Sequence, residues 1–403
     1  MSRYYEDEWA TVWAGDCLDV MRALPAGSVD AVVTDPPYAL SFMGKNWDHP
    51  ATLGRGNERR GVEDAGLQTF QEWCTAWASE CLRLLRPGGY LTAFGAPRTW
   101  HRLAVGVEDA GFEIRDSIAW LYGQGFPKSL DVARAMTTSG ENKGLASHGV
   151  ELAGQARPWQ GWGTALKPAH EPILVARRPL DGTVADNVLE HGVGALNIDA
   201  CRVSMSQTGA KQAGMDPESY ERRPGVSLRL STDPLPLRPV LAHEAGRWPT
   251  NVVLDDTAAT ELDAQSGESA SRRGRPRTAA PGAGWGMRST GAEYDDAGGA
   301  SRFFPTFRWE PKAPSSERPS SGGVQHPTVK PLALMRWLIR LVTPHGGLIL
   351  DPFAGSGTTI EAALLEGMHC VAVEREAQYL PLIRQRIDRA REVPMDLWGG
   401  DGS

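Results

Sequence analysis

Short apolar runs and helix-spaced apolar stripes alternate at both ends of this chain, and a looser polar stretch separates the two regions. Near the start, Thr11-Val12-Trp13-Ala14 predicts a short strand ending at Gly15-Asp16. Leu18 to Leu24 can make one or two helical turns before Pro25-Ala26-Gly27-Ser28 breaks them. Ala31-Val32-Val33-Thr34 is continuously apolar, as expected of a strand covered on both faces. It runs straight into Asp35-Pro36-Pro37-Tyr38. A polar, Gly-rich stretch from about Ser41 to Gly66 reads as a loop. Phe70, Trp73, Cys74, Trp77, Cys81, Leu84 and Leu85 then recur at helical spacing. So regular a stripe favours core packing over base stacking for its aromatics. Pro87-Gly88-Gly89 is expected to stop that helix, and Tyr90 to Phe94 to form the next strand. Trp100, Leu103, Ala104 and Val107 suggest another helix, and Ile114 to Trp120 a further strand.

The last quarter repeats the pattern. Leu334, Met335, Leu338, Leu341 and Val342 share one helical face after Lys330-Pro331, a proline compatible with a first turn. Leu348-Ile349-Leu350 is a buried strand with Asp351 at its end. Pro352-Phe353-Ala354-Gly355-Ser356-Gly357-Thr358-Thr359 follows, and a helix containing Ile360, Ala363 and Leu364 continues to Gly367. Cys370-Val371-Ala372-Val373 forms a second strand, ending at Glu374. Alternating strands and helices in both regions point to a doubly wound parallel sheet.

Composition narrows the class. The 403 residues suffice for one large α/β domain with an insertion, or for two domains. The start is acidic and lacks the apolar core of a signal peptide. No apolar stretch approaches a membrane span, so a cytoplasmic location without a membrane partner is expected. Five scattered cysteines, with no close pair, disfavour a disulfide framework and a structural zinc; no metal is expected. The net charge of −7 argues against a protein that coats nucleic acid broadly. Local basic clusters (Arg177-Arg178, Arg222-Arg223, and Arg272, Arg273, Arg275 and Arg277) leave DNA binding open.

Two motifs carry chemistry. In the second β-α-β unit, Gly355 and Gly357 allow a tight turn and a close ligand approach. A carboxylate at the tip of the following strand, Glu374, can accept hydrogen bonds from two ribose hydroxyls. The loop lacks the lysine of a phosphate-cradling P-loop. Ile360 replaces the third glycine of a dinucleotide fingerprint, which weakens a nicotinamide reading. In the first motif, Asp35 offers a carboxylate, and Pro36 a carbonyl held in a fixed direction. Tyr38 offers a flat face for stacking. Two acceptors aimed at the N–H bonds of a planar amine favour a pyramidal nitrogen and stabilise the charge that develops on attack. In-line transfer from a sulfonium then needs no covalent enzyme intermediate.

With both motifs in this order, the chain resembles the β class of amino-group DNA methyltransferases that use S-adenosylmethionine. The resemblance covers roughly residues 10–180 and 300–390. It implies a circularly permuted, Rossmann-like α/β sheet with helices on both faces. Residues 1–180 would form the catalytic half, 181–310 a target-recognition insertion, 311–395 the cofactor half and 396–403 a tail. Asp35, Pro36, Pro37 and Tyr38 would be catalytic. Asp16, Thr328, Lys330, Asp351, Phe353, Gly355, Ser356, Gly357, Thr358 and Glu374 would hold the cofactor. His326-Pro327-Thr328-Val329-Lys330-Pro331 is similar to the segment that contacts the methionine part of the cofactor, and Gly15-Asp16-Cys17 to a loop near its adenine. Trp162-Gly163-Thr164 through His170-Glu171-Pro172-Ile173-Leu174-Val175 is similar to the strand bordering the base pocket. The implied partner is double-stranded DNA, with base flipping; a homodimer and a companion restriction nuclease are both compatible. Asp at the first clamp position favours adenine N6 over cytosine N4. An RNA or protein-glutamine methyltransferase, and a catalytically silent DNA-binding homologue, remain alternatives.

Overall fold

The structure is a computed structural model that describes residues 1–40, 48, 63–123, 125, 129–138, 154–203, 246–270, 296–307, 319–320 and 323–393. The stretch 41–66 therefore lies largely outside the described residues, as do Arg222-Arg223 and the arginines between 272 and 277. Among the described residues no helix is long and apolar enough to cross a membrane.

One large sheet holds strands β1 (Ser2–Glu6), β2 (Ala10–Ala14), β3 (Val29–Thr34), β4 (Leu85–Phe94), β5 (Glu113–Leu121), β6 (His170–Arg177), β7 (Val252–Asp255), β10 (Thr306–Phe307), β11 (Leu348–Asp351) and β12 (His369–Glu374). Their order is β1-β2-β12-β11-β3-β4-β6-β5-β7-β10. Only β1 and β6 run against the others. A separate ribbon pairs β8 (Ser269–Ala270) with β9 (Ala297–Gly298). The span 181–310 thus contributes β7 and β10 to the main sheet itself.

Helices cover both faces, which explains the continuously apolar strands. On one face lie α1 (Cys17–Ala23), α2 (Glu63–Leu84) and α3 (Trp100–Asp109), packed on Val32, Leu91, Leu350 and Val373. The helical stripe from Phe70 to Leu84 is core, with Trp77 and Cys81 fully buried. Shorter helices α4 (Val132–Thr138), α5 (Val184–His191) and α6 (Asp256–Ser266) sit along the middle of the chain. On the other face, α7 (Leu332–Val342), α8 (Thr358–Leu365) and α9 (Leu380–Glu392) pack on Ala31, Val33, Ile349 and Ala372.

The halves of the chain meet where β3 pairs with β11, through Ala31 with Ile349 and Val32 with Leu350. Two polar contacts, one buried and one part-buried, stitch this seam. Asp30 accepts the Leu348 amide at 2.7 Å, and Thr34 Oγ1 donates to Asp351 Oδ1 at 2.7 Å.

One local expectation is corrected. Pro87-Gly88-Gly89 does not separate helix from strand: α2 ends at Leu84 and the three residues lie inside β4. The bend is tolerated because outside groups replace the ladder there. Asn187 Nδ2 donates to the Pro87 carbonyl, and the Gly88 amide donates to the Pro179 carbonyl. Asn187 itself belongs to α5, which is framed by a Thr183/Asp186 capping box and the left-handed Gly192.

Gly106 sets the approach of α3 to α2. A Cβ there would stand 2.7 Å from Cys74 Cβ and 2.8 Å from the Gln71 carbonyl. Gly106→Ala should destabilise the protein by about 1–3 kcal/mol, because overpacking outweighs the roughly 1 kcal/mol gain in helix propensity. Chemical denaturation measures it, and an unchanged or raised midpoint would contradict the tight contact.

Candidate active site

In a parallel sheet, loops at the carboxyl ends of the strands share one edge. Here that edge gathers Gly15 and Asp16 after β2, Asp35 to Tyr38 after β3, the glycine loop after β11 and Glu374 at the end of β12. Strand β6 is antiparallel, so its first residues, His170 and Glu171, arrive at the same edge. These groups line a cavity of about 1340 Å³.

At one end lies a tight polar cluster. The Tyr38 hydroxyl donates to Asp35 Oδ1 at 2.7 Å, and Glu171 Oε2 stands 3.2 Å from it. Lys330 Nζ donates to Asp35 Oδ2 at 2.6 Å and to the Tyr38 oxygen at 3.0 Å, with Glu171 Oε2 3.4 Å away. The ammonium also lies over the rings of Phe94 (4.9 Å) and Tyr38 (5.3 Å), a cation–π arrangement. Burial, then the Asp35 and Glu171 carboxylates, push the Tyr38 phenol well above its ordinary range. Burial alone would lower the Lys330 ammonium, but the two carboxylates outweigh it and raise it. The cluster therefore holds a protonated phenol and a charged amine.

The turn after Tyr38 is fixed by a side chain outside the motif. The buried Asp48 carboxylate accepts the amides of Tyr38 (2.7 Å), Ala39 (2.8 Å) and Leu40 (3.2 Å). Ala39 is held at φ +58°, a conformation uncommon without glycine. Thr99 Oγ1 donates to the Tyr38 carbonyl at 2.9 Å.

At the other end, two buried acids shape the glycine loop. Asp351 Oδ1 accepts Thr34 Oγ1 and, at 3.1 Å, the Phe353 amide. Burial pushes its carboxyl up to about 6, against hydrogen bonds from Thr359, Thr34 and Phe353. Glu374 accepts the Gly355 amide on Oε2 and the Glu376 amide on Oε1, each at 2.7 Å. Burial pushes it up to about 7, with those amides pulling the other way. Gly355 has φ +53°, and a Cβ there would stand 3.2 Å from His326 Nε2. Burial lowers the His326 imidazole, whose Nδ1 lies at the Thr328 carbonyl and whose ring packs 4.5 Å from that of Tyr379. Phe353 rests on Trp73 and Trp77. Asp16 caps α1 through the Leu18 amide at 2.9 Å.

Of the expected site residues, all but Gly357 line the cavity. Gly357 turns the chain at φ +85° into α8, and its missing Cβ would meet Ile383 Cα at 3.0 Å. Lys330, expected with the cofactor group, has its ammonium on Asp35. Sequence reasoning missed Asp48, Thr34 and Thr99 as participants, and placed Glu171 only within a strand similar to one bordering the base pocket. Beyond that resemblance, Glu171 had one signal, a charged residue opening an apolar strand. Its importance depends on the direction of β6, which the sequence does not reveal.

The fold and the cavity define an α/β enzyme with a glycine-loop crevice beside an acid-and-proline corner. Residues 29–385 match the DNA methylase family N6_N4_Mtase. The type II methyltransferase M.HindIII of Haemophilus influenzae is 22% identical over 389 residues, 90% of each chain. M.HinfI, from the same species, is 26% identical over 125 residues, 30% of this chain and 33% of that one. Among solved structures, the cytosine-N4-specific PvuII DNA methyltransferase aligns at a TM-score of 0.47 with 12% identity, over 98% of this chain and 95% of that one. A DNA modification methylase of Thermus thermophilus, complexed with S-adenosyl-L-methionine, aligns at 0.42 with 16% identity, over 94% and 95%. The chain belongs to the DNA methylase family.

The acids give a pH prediction. Glu374 ionises near 4.5 when unfolded and near 7 when folded. Asp351 shifts from 3.8 to about 6. The folded state thus binds more protons across these windows, and stability falls as pH rises through them. The melting temperature of the ligand-free protein should decline between about pH 4.5 and 7, and Glu374→Gln should flatten that decline. An identical slope in the variant would contradict the burial of an ionising Glu374.

Proposed function

We propose that this DNA methylase transfers a methyl group from S-adenosylmethionine to the exocyclic N6 of adenine in a short duplex sequence, after the base leaves the stack. The observation that carries this reading is the shared cavity. Asp35 at the end of β3 and the Gly355 loop with Glu374 beyond β11 and β12 open into one space. Both relatives are type II methyltransferases, which supports the same class here.

The residues fit the cofactor. Glu374 keeps lone pairs beyond those used by the Gly355 and Glu376 amides, since a carboxylate offers about four acceptor sites. They suit ribose hydroxyls. Gly355 keeps the loop wall free of a side chain. Asp16, Phe353, Ser356, Thr358 and Thr328 supply further walls. When bound, S-adenosylmethionine supplies an electrophilic methyl on a sulfonium.

Asp35 and Pro36 act on the nucleophile. The Asp35 carboxylate accepts an amine N–H and stabilises the positive charge that grows on nitrogen. Tyr38 and Lys330 fix the direction of that carboxylate by donating to its two oxygens. Glu171 holds the ammonium from the far side. Asp48 and Thr99 hold the backbone around Tyr38, so the corner is formed before a base enters. The aspartate at the first clamp position supports adenine over cytosine N4. Residues 181–310 take the target-recognition role in this reading, with basic side chains on phosphates and polar ones on base edges.

Unmethylated DNA incubated with protein and donor, digested to nucleosides and weighed, should yield N6-methyladenine. N4-methylcytosine would overturn the adenine assignment, and mapping the modified positions gives the target sequence. Asp35→Ala should abolish transfer, by more than about 10²-fold, while S-adenosylmethionine still binds. Persistent methylation in that variant would refute the clamp. Glu374→Ala should chiefly weaken donor binding, and an unchanged dissociation constant would count against its ribose role.

A further inference from the structure

The loop that leads into β6 presents an apolar tip that folding alone does not explain. Leu166 is 92% exposed and Trp162 60% exposed. Both belong to the run Gly154 to His170, of which Thr164 to His170 line the mouth of the cavity. An exposed leucine is ordinary on a slack loop, but this loop is braced. Ser129 Oγ accepts the Thr164 and Ala165 amides at 3.0 and 3.3 Å, and Thr164 Oγ1 accepts the Leu130 amide at 3.0 Å. Asp131 and Gly163 pair as a β-bridge, and the Val132 amide donates to the Trp162 carbonyl at 3.1 Å. Gly163 is required for this contact, because a Cβ there would stand 2.3 Å from Ser129 Oγ. Trp159 packs edge-on against Trp162 at 5.3 Å and backs the turn. Ala165 and Leu166 therefore project from a fixed base.

The surrounding charge identifies a partner. Between 154 and 170 the chain carries Arg157 and Lys167 and no acid, in a protein of net charge −7. Arg98 lines the same mouth. Of the neighbouring acids, Asp131 has its carboxylate on the Arg134 amide, and Glu171 is turned inward onto Lys330. A basic stretch around a braced apolar tip, with its two neighbouring acids turned to other partners, complements a phosphate backbone flanking stacked bases.

We infer that Leu166 enters the duplex stack at the position the target base vacates. The inference rests on the base-flipping reading above. A base drawn toward Asp35 leaves an unstacked gap, and closing that gap with the base outside the stack is costly. An apolar side chain held at the mouth of the receiving cavity fills the gap and lowers the cost of extrusion. Leu166 is thus a positioning residue for DNA, distinct from the groups that meet the amine.

The test uses the full-length protein and a duplex oligonucleotide carrying the mapped target sequence. It is made in two forms, one fully paired and one with a mismatch opposite the target base. Leu166→Ala should slow transfer to the paired duplex by about tenfold or more. The mismatched duplex, already unstacked, should restore most of the rate. Leu166→Met should retain most activity on both, and S-adenosylmethionine affinity should be unchanged in all variants. A wild-type rate for Leu166→Ala on the paired duplex would overturn the inference. So would an equal loss on both duplexes. If the wild-type protein methylated neither, the failure would lie with the underlying functional reading and not with Leu166.

Discussion

The site depends on the seam between β3 and β11. These strands lie more than three hundred residues apart in the chain, yet each delivers one of the two motifs to the same edge. Register along a sheet is strict, since a one-residue slip exchanges the faces of a strand. Asp30 at one end of the seam and Thr34 at the other make that slip costly, because each satisfies a buried partner that would otherwise be orphaned. With the register fixed, Asp35 and the glycine loop have no freedom to part. The separation of the two motifs is set by strand pairing, not by loop conformation.

The rest of the cavity is held by polar groups that bind the chain to itself. Asp48, Asp351 and Glu374 direct lone pairs at backbone amides around the two motifs. Such groups make a shape that exists before a ligand arrives, and preformed shape reduces the ordering cost of binding. Burial of Glu374 is the penalty of this arrangement, visible in its upward displacement. The same kind of contact explains Ala39, whose left-handed backbone is tolerated because Asp48 accepts its amide and those beside it.

Much of this was legible in the chain. Apolar runs located β3, β11 and β12, helix-spaced stripes located α2 and α7, and the two motifs marked both ends of the cavity. These signals are local, and strong where a strand is covered on both sides. What escaped were relations between distant segments. The direction of β6 decides that Glu171 reaches the Asp35 cluster, and no local pattern encodes it. Lys330 reads as part of a cofactor segment, but the path before α7 carries its ammonium to the clamp. Pro87-Gly88-Gly89 has the composition of a break, and only the partners Asn187 and Pro179 keep it within β4. Gly357 looked like a ligand-facing glycine beside Gly355, yet its space is taken by α9 through Ile383.

The buried ion cluster has an uneven charge count. Asp35 and Glu171 are two anions, and Lys330 is a single cation among them. The remaining negative charge acts at close range in the cavity. Such a charge would favour a positively charged guest over the same guest once that charge is gone. A donor that turns from sulfonium to neutral thioether on reacting would thus loosen its own hold, and competition between the two forms would read the difference.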